Sequence, residues 1–408
     1  SVFRERMAEL AATEDSDDDS SSSETPPELV DTAKVRDAPA EKEAVPVTVV
    51  CGFLGSGKST LLQSLLVDES HQLKLAMVTN EFADTGGLES ALIDLGADLG
   101  RTRLGTGEEI LEVRNGCVCC SVKDELAQTV ENLVRERRVD AVIVELSGVA
   151  NPGPVAASFW LDDALESLVR LDGVACVVDC KSHVLEGGPF ASEARRQVAF
   201  ADRVLLNKRD LVESTADLHA LVRSINPTAL VAETTRGRGS FAVRGWLLDA
   251  HCYDTRALLQ KPGAFAELGH HATAFSHVKL EPPPSGRICL ASALNAFLAA
   301  LLWTRQDGQR THEDAVDGVT VFRAKGLLDV LFDDDPDDDD DASDDERRRR
   351  RVRTVVVQGV DDLFDLQPVA AESVDLPRFL VFIGANLDEA DLRRGFEATF
   401  DEEGVVDR

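Results

Sequence analysis

The sequence predicts a doubly wound α/β domain followed by a smaller α+β domain, and three observations predict it. Short apolar, β-branched runs alternate with helical periodicities from Val45 onward. A Gly-rich turn separates the first of these runs from the first helical pattern. Beyond residue 270 the order changes to strand, helix, three strands and a final helix.

The apolar runs are Val45–Cys51 (VPVTVVC), Lys74–Asn80 (KLAMVTN), Asp140–Leu146 (DAVIVEL), Gly173–Asp179 (GVACVVD) and Arg203–Asn207 (RVLLN). Helical patterns such as Ser59–Val67 and Lys123–Arg137 stand between them. Near-continuous apolar strands joined by helices form a mostly parallel sheet covered on both faces. This places an α/β domain at residues 45–250 and a linker at 251–270. Strand Ala272–Leu280, helix Ala291–Trp303, strands Val319–Ala324, Val352–Val357 and Arg378–Ile383, and helix Asp388–Ala398 follow. That order is close to a split βαβ unit and defines a second domain at 271–400.

A chain of 408 residues, 43% hydrophobic, has ample length for about two domains with buried cores. Its longest apolar stretch, Ala293–Trp303, falls short of the ~18–20 residues that span a bilayer and reads as a core helix. With no apolar leader at its start, the chain is expected to be cytosolic or nuclear. The net charge of −31 argues against a nucleic-acid partner, which requires a basic surface. Much of that charge sits in two low-complexity stretches. Residues 1–44 contain EDSDDDSSSSE, and residues 333–351 contain DDDPDDDDDASDDE followed by five arginines. Both are expected to be disordered, since neither can bury enough apolar area to offset ordering entropy. Within the first, Pro27-Glu28-Leu29-Val30 is an apolar island, readable as a docking motif or as ordinary linker.

Gly52-Phe53-Leu54-Gly55-Ser56-Gly57-Lys58-Ser59 fits G-x-x-x-x-G-K-[ST] at every fixed position, with a strand entering and a helix leaving. Such a P-loop curls backbone N–H groups around phosphates, sends Lys58 to the outer phosphates and offers the Ser59 hydroxyl to Mg²⁺. Asn207-Lys208-Arg209-Asp210 ends a late strand and reads as N-K-x-D. Its Asp carboxylate accepts from both guanine N1–H and the N2 amine, a donor pair that adenine lacks. The nucleotide is therefore GTP. Glu145, at the end of its strand, stands where P-loop enzymes place a carboxylate that acts on Mg²⁺ or its water, with Ser147-Gly148 as a switch loop. Lys58, Ser59 and Glu145 are the candidate catalytic residues.

Three of eight cysteines crowd together in Arg114-Asn115-Gly116-Cys117-Val118-Cys119-Cys120. A soft thiolate trio suits zinc or Cu(I), and three local ligands leave a fourth position open for exchange. Two other readings stand beside this one. Vicinal low-pKa thiols also form disulfides, and His270, His271 or His277 would close a structural site. The trio lies between the P-loop and the Glu145 strand, where γ-phosphate-ordered segments occur. Nucleotide state would then bias metal affinity, and linkage makes the effect reciprocal.

Taken together, the P-loop, RNGCVCC, Glu145 and N-K-x-D resemble the CobW family of metallochaperone GTPases, and most closely its eukaryotic zinc-regulated GTPase metalloprotein activator branch. The resemblance runs over most of residues 46–400, including RNGCVCCSVKDEL, NPGPVAASFW, RSIN, LLW and VQGVDDLFDL. It implies zinc at Cys117, Cys119 and Cys120, and GTP with Mg²⁺ at Gly52 through Ser59 and at Asn207, Lys208, Arg209 and Asp210. It also implies nucleotide contacts from Ser121, Val122, Lys123 and Asp124, and a C-terminal domain of the CobW C-terminal type. Members of this branch insert zinc into a methionine aminopeptidase, docking on its zinc finger through C-P-x-L-V-P. Pro27-Glu28-Leu29-Val30 matches the centre of that motif, while Pro26 and Asp31 replace its outer Cys and Pro. The remaining alternatives are a zinc-responsive regulatory GTPase without metal transfer, and a cobalt or iron chaperone.

Overall fold

The structure, a computed structural model, describes residues 44–80, 103–104, 108–112, 130, 133–135, 139–160, 168–254, 275–284, 287–302, 319–332, 352–369 and 377–401. Strand β1 (Val45–Cys51) is buried along its length from Pro46, which its β-branched residues suit on both faces. The other strands of its sheet are β2 (Leu75–Asn80), β3 (Arg103–Leu104), β4 (Glu108–Glu112), β5 (Ala141–Leu146), β6 (Val169–Asp179), β7 (Arg203–Asn207), β8 (Leu230–Thr235) and β9 (Arg238–Gly239). Their order is β3-β4-β2-β5-β1-β6-β7-β8-β9. All pairings are parallel except the two at the edges, β3 with β4 and β8 with β9.

Alternation along the strands sends side chains to two layers. Val50, Met77, Ile143, Val177 and Leu205 meet Leu61, Leu62 and Leu65 of helix α1 (Lys58–Leu66) on one face. On the other face, Val49, Val144 and Val178 pack with α2 (Pro152–Ser158), α3 (Ala191–Phe200) and α4 (Ala216–Ile225). At the Val47/Thr48 shift in register, Asp172 is the extra residue of a bulge in β6. Its fully buried carboxylate accepts from the Thr48 hydroxyl and from the amides of Ala250 and His251.

The second sheet comprises β10 (Phe275–Leu280), β11 (Cys289–Leu290), β12 (Thr320–Leu331), β13 (Val352–Val360), β14 (Leu363–Pro368) and β15 (Phe379–Ala385). The main order is β10-β15-β12-β13-β14, with β11 parallel to β12. Helix α5 (Ala291–Leu302) lies between β10 and β12 in the chain, and antiparallel β15 pairs with both strands: a split βαβ unit. One face packs on α5 and on α6 (Glu389–Glu397). The other face gives Phe275, Phe322, Val356 and Val381 to the core that contains Val198 and Phe200 of α3. Cys252 and Tyr253, in the stretch read as linker, are buried.

Strands β3, β4, β8, β9 and β11 are additions to the sequence expectation, β13 and β15 run on to Val360 and Ala385, and three further differences have a visible cause. Strand β6 begins four residues earlier, at Val169, because Arg170 and Asp172 find partners that hydropathy does not reveal. Strand β12 continues past Ala324 to Leu331, since Lys325 reaches a buried carboxylate on the neighbouring domain. Strand β14 (LFDLQP) is new; its polar residues suit the exposed edge it forms against β13.

The two domains meet on a buried charge cluster. Asp202 Oδ1 accepts from Arg323 Nη2 at 2.6 Å and Lys325 Nζ at 3.0 Å, while Oδ2 accepts from the Val174 amide. Arg323, fully buried, also donates to the Phe200 carbonyl at the end of α3 and lies over the Tyr253 ring.

Candidate functional site

The site is built on the carboxyl ends of β1, β5, β6 and β7, which the parallel order brings to one edge of the sheet. Between β1 and α1 the chain turns through Gly52 to Gly57. Gly52 has φ of +144°, and a Cβ there would lie 2.3 Å from the Val177 carbonyl. Gly57 has φ of +103°, and a Cβ there would lie 2.2 Å from the Asn207 amide nitrogen. Both positions require glycine, for backbone conformation and for space. The turn ends on the N-terminus of α1, whose free amides favour an anion.

Lys58, nearly buried, folds back so that Nζ donates to the Gly52 carbonyl at 2.7 Å. Its ammonium thus lies within the loop that would cradle phosphates. The Ser59 hydroxyl donates to Glu145 Oε1 at 3.4 Å, joining α1 to the end of β5. A hydroxyl beside a carboxylate is a hard oxygen pair that fits Mg²⁺. The side chains of Phe53 and Leu54 point elsewhere: Phe53 packs on Phe190, and Leu54 lies against Gly148.

The candidate base-recognition segment is tied to the glycine-rich loop by two side chains. Asn207 donates to the Ser56 carbonyl at 3.0 Å and accepts from the Thr234 hydroxyl and the Gly237 amide. Lys208, at φ of 60°, donates to the Gly55 carbonyl at 2.6 Å and pairs with Asp179 at 2.7 Å. Asp210 is exposed on the following turn, as a carboxylate that meets a base must be. Arg209 instead braces that turn, donating to Glu233 and to the Val212 and Glu213 carbonyls. The Thr215 hydroxyl, with Arg209 beside it, holds the Glu233 carboxyl below the usual carboxylate range.

The sequence motifs do not include Asp179, Thr234 or Gly237. Asp179 ends an apolar strand on the same edge as Glu145 and Asn207, and that position was the available signal. Thr234 and Gly237 carry no local signature; only the fold brings them to Asn207.

Cys117, Cys119, Cys120, Ser121, Val122, Lys123 and Asp124 lie outside the described residues, as do Pro27–Val30, His270, His271 and residues 333–351. His277 is described and buried, with Nδ1 3.2 Å from the Ser224 carbonyl. The described cysteines are free thiols. Burial pushes Cys180 up to about 11 and Cys252 and Cys289 each up to about 12, so these three stay protonated at neutral pH. Among the described residues no group of three or more His, Cys, Asp or Glu could hold a metal ion, and no helix is long and apolar enough to cross a membrane.

Residues 46–233 match the CobW/HypB/UreG nucleotide-binding domain, and residues 347–400 match the cobalamin synthesis protein CobW C-terminal domain. The chain belongs to the CobW family. This CobW-family chain is 41% identical over 201 residues to zinc-regulated GTPase metalloprotein activator 1 of Schizosaccharomyces pombe, covering 48% of this chain and 47% of that protein. It is 29% identical over 398 residues to the Saccharomyces cerevisiae protein of the same name, covering 88% and 85%. The zinc chaperone YjiA of Escherichia coli is 32% identical over 221 residues, 52% of this chain and 65% of YjiA. The match thus spans about half the length of the fission-yeast relative. The crystal structure of Zn(II)-bound YjiA GTPase superposes with a TM-score of 0.60 at 25% identity, covering 88% of this CobW-family chain and 99% of YjiA.

Proposed function

We propose that this chain is a GTP-hydrolysing zinc chaperone, which holds zinc on Cys117, Cys119 and Cys120 and passes it to a client metalloprotein. The observation that carries this reading is a row of backbone positions across the sheet. Val50 is in register with Glu145, Glu145 with Thr79, and Thr79 with Glu112. Glu112, at the end of β4, therefore lies two strand spacings, about 10 Å, from Glu145. Cys117 is five residues further along the chain, a reach of at most about 18 Å. Strand β4, the described element that precedes the thiols in the sequence, thus ends on the edge where the P-loop and Glu145 stand.

In this reading Asp210 selects guanine, Lys58 and the P-loop amides hold the phosphates, and Ser59 with Glu145 holds Mg²⁺. The ion would offset charge developing on the transferred phosphoryl oxygens. Tight zinc binding in the GTP state and weaker binding after hydrolysis would turn a holder into a donor. The names of the relatives, metalloprotein activators and zinc chaperones, support a metalloprotein client. A methionine aminopeptidase, reached through Pro27-Glu28-Leu29-Val30, is the client we propose. GTP turnover measured with and without zinc tests the reading. Zinc is expected to stimulate the full chain, and Cys119→Ala is expected to lose the stimulation while keeping basal turnover. A rate indifferent to zinc in the unmodified chain would refute coupling between cargo and hydrolysis.

A further inference from the structure

The turn after Glu145 must keep its shape for that carboxylate to stay beside Ser59, and one buried side chain grips it. Ser147 to Asn151 link β5 to α2. Gln197, in the C-terminal half of α3, is only 1% exposed. Its Nε2 donates to the Gly148 carbonyl at 3.2 Å and to the Ala150 carbonyl at 3.0 Å. A carboxamide has two N–H donors, and both are spent on this one turn. Gly148 in turn abuts the P-loop: a Cβ there would lie 2.8 Å from the Leu54 amide nitrogen. Helix, turn and P-loop are therefore stacked in that order with no slack.

A second link lies beneath the first. A cavity of about 10 Å³ is lined by Ser56, Gln197, Leu54, Cys176 and Val178. Ser56 Oγ and Gln197 Oε1 are both buried without a hydrogen-bond partner in protein. The volume matches one water molecule, and the two polar atoms are what such a water needs.

We propose that Gln197 is a positioning residue for GTP hydrolysis, fixing the Gly148–Ala150 turn through its two amide bonds and reaching the P-loop Ser56 through one buried water. This inference rests on the GTPase reading above. Gln197 touches neither phosphate nor base directly; it acts by keeping the turn, and with it Glu145, in register with Ser59. Gln197→Met keeps length and apolar bulk but removes donors and acceptor, whereas Gln197→Glu keeps the acceptor and loses both donors.

For Gln197→Met, kcat per titrated nucleotide site is expected to fall roughly 10- to 100-fold, from two bonds each worth about a factor of 3–10. Affinity for a non-hydrolysable GTP analogue should stay within threefold. Gln197→Glu should fall at least as far, since it sets a carboxylate against two carbonyls. A readout independent of turnover is hydrogen exchange at the Ala150 amide, which donates to the Ser147 carbonyl. Exchange there should quicken about tenfold in Gln197→Met. Unchanged exchange at Ala150, an unchanged kcat, or parallel losses of kcat and analogue affinity would each overturn the inference. An unmodified chain that binds GTP without turning it over would instead sink the functional reading, and the hydrolytic role with it.

Discussion

Asp202→Ala is expected to lower the free energy of unfolding by about 3–5 kcal/mol, because it strands two buried cations at the domain junction. Arg323 is completely buried and Lys325 nearly so, and both converge on Asp202 Oδ1. Burial alone would raise the Asp202 pKa, yet Arg323 and then Lys325 outweigh it and hold the carboxyl well below the usual carboxylate range. The sign follows from that depression. A carboxylate more acidic in the folded than in the unfolded chain adds stability above its unfolded pKa of about 3.9, and the contribution drains away as pH falls toward the native value. The gap between the unmodified chain and Asp202→Ala should therefore be full at pH 7 and shrink below about pH 4. Denaturant titration at both pH values checks this. A loss under 1 kcal/mol at pH 7 would mean that the cluster carries little of the junction.

Gly57→Ala is expected to weaken GTP binding about 100- to 1,000-fold while leaving the sheet and α1 in place. A left-handed backbone costs an L-residue about 1–2 kcal/mol. The new Cβ would also sit 2.2 Å from Asn207 Nδ2, which therefore has to move. Asn207 cannot move without releasing Ser56, Thr234 or Gly237, each bond worth about 1 kcal/mol. Phosphate cradle and base pocket thus come apart together. Calorimetric titration with a GTP analogue measures the loss, and circular dichroism reports whether secondary structure is kept. Binding within fivefold of the unmodified chain would contradict the role given to Asn207 as the clip between the two halves.

Both variants act through contacts that join distant parts of the chain, which marks the boundary of what the sequence discloses. Strands β1 and β7 are legible to the residue because a largely buried parallel strand shows as a mostly apolar run. The start of β6 and the far half of β12 are not, since each contains charged residues whose partners lie elsewhere: Arg170 with Asp249, and Lys325 with Asp202. A hydropathy pattern cannot distinguish a paired buried charge from a loop.

The same division holds at the site. Lys58, Ser59, Asn207 and Asp210 were read from motifs because phosphate and guanine recognition demand fixed residue types at fixed spacing. Glu145 was read from its place at a strand end, and the fold does bring it to Ser59. Gln197 and Asp179 belong to no motif. Their contacts arise from packing of α3 against the Gly148 turn and of β6 beside β7.

Reciprocal binding between nucleotide and zinc is the centre of the account, and one titration addresses it most directly. Zinc affinity of the full chain should be measured with a chelator-buffered metal series, once saturated with a non-hydrolysable GTP analogue and once with GDP. Binding is expected to be tighter in the GTP-like state by about 5–150-fold, a coupling energy of about 1–3 kcal/mol shared between the two sites. Equal zinc affinities in the two nucleotide states would contradict it.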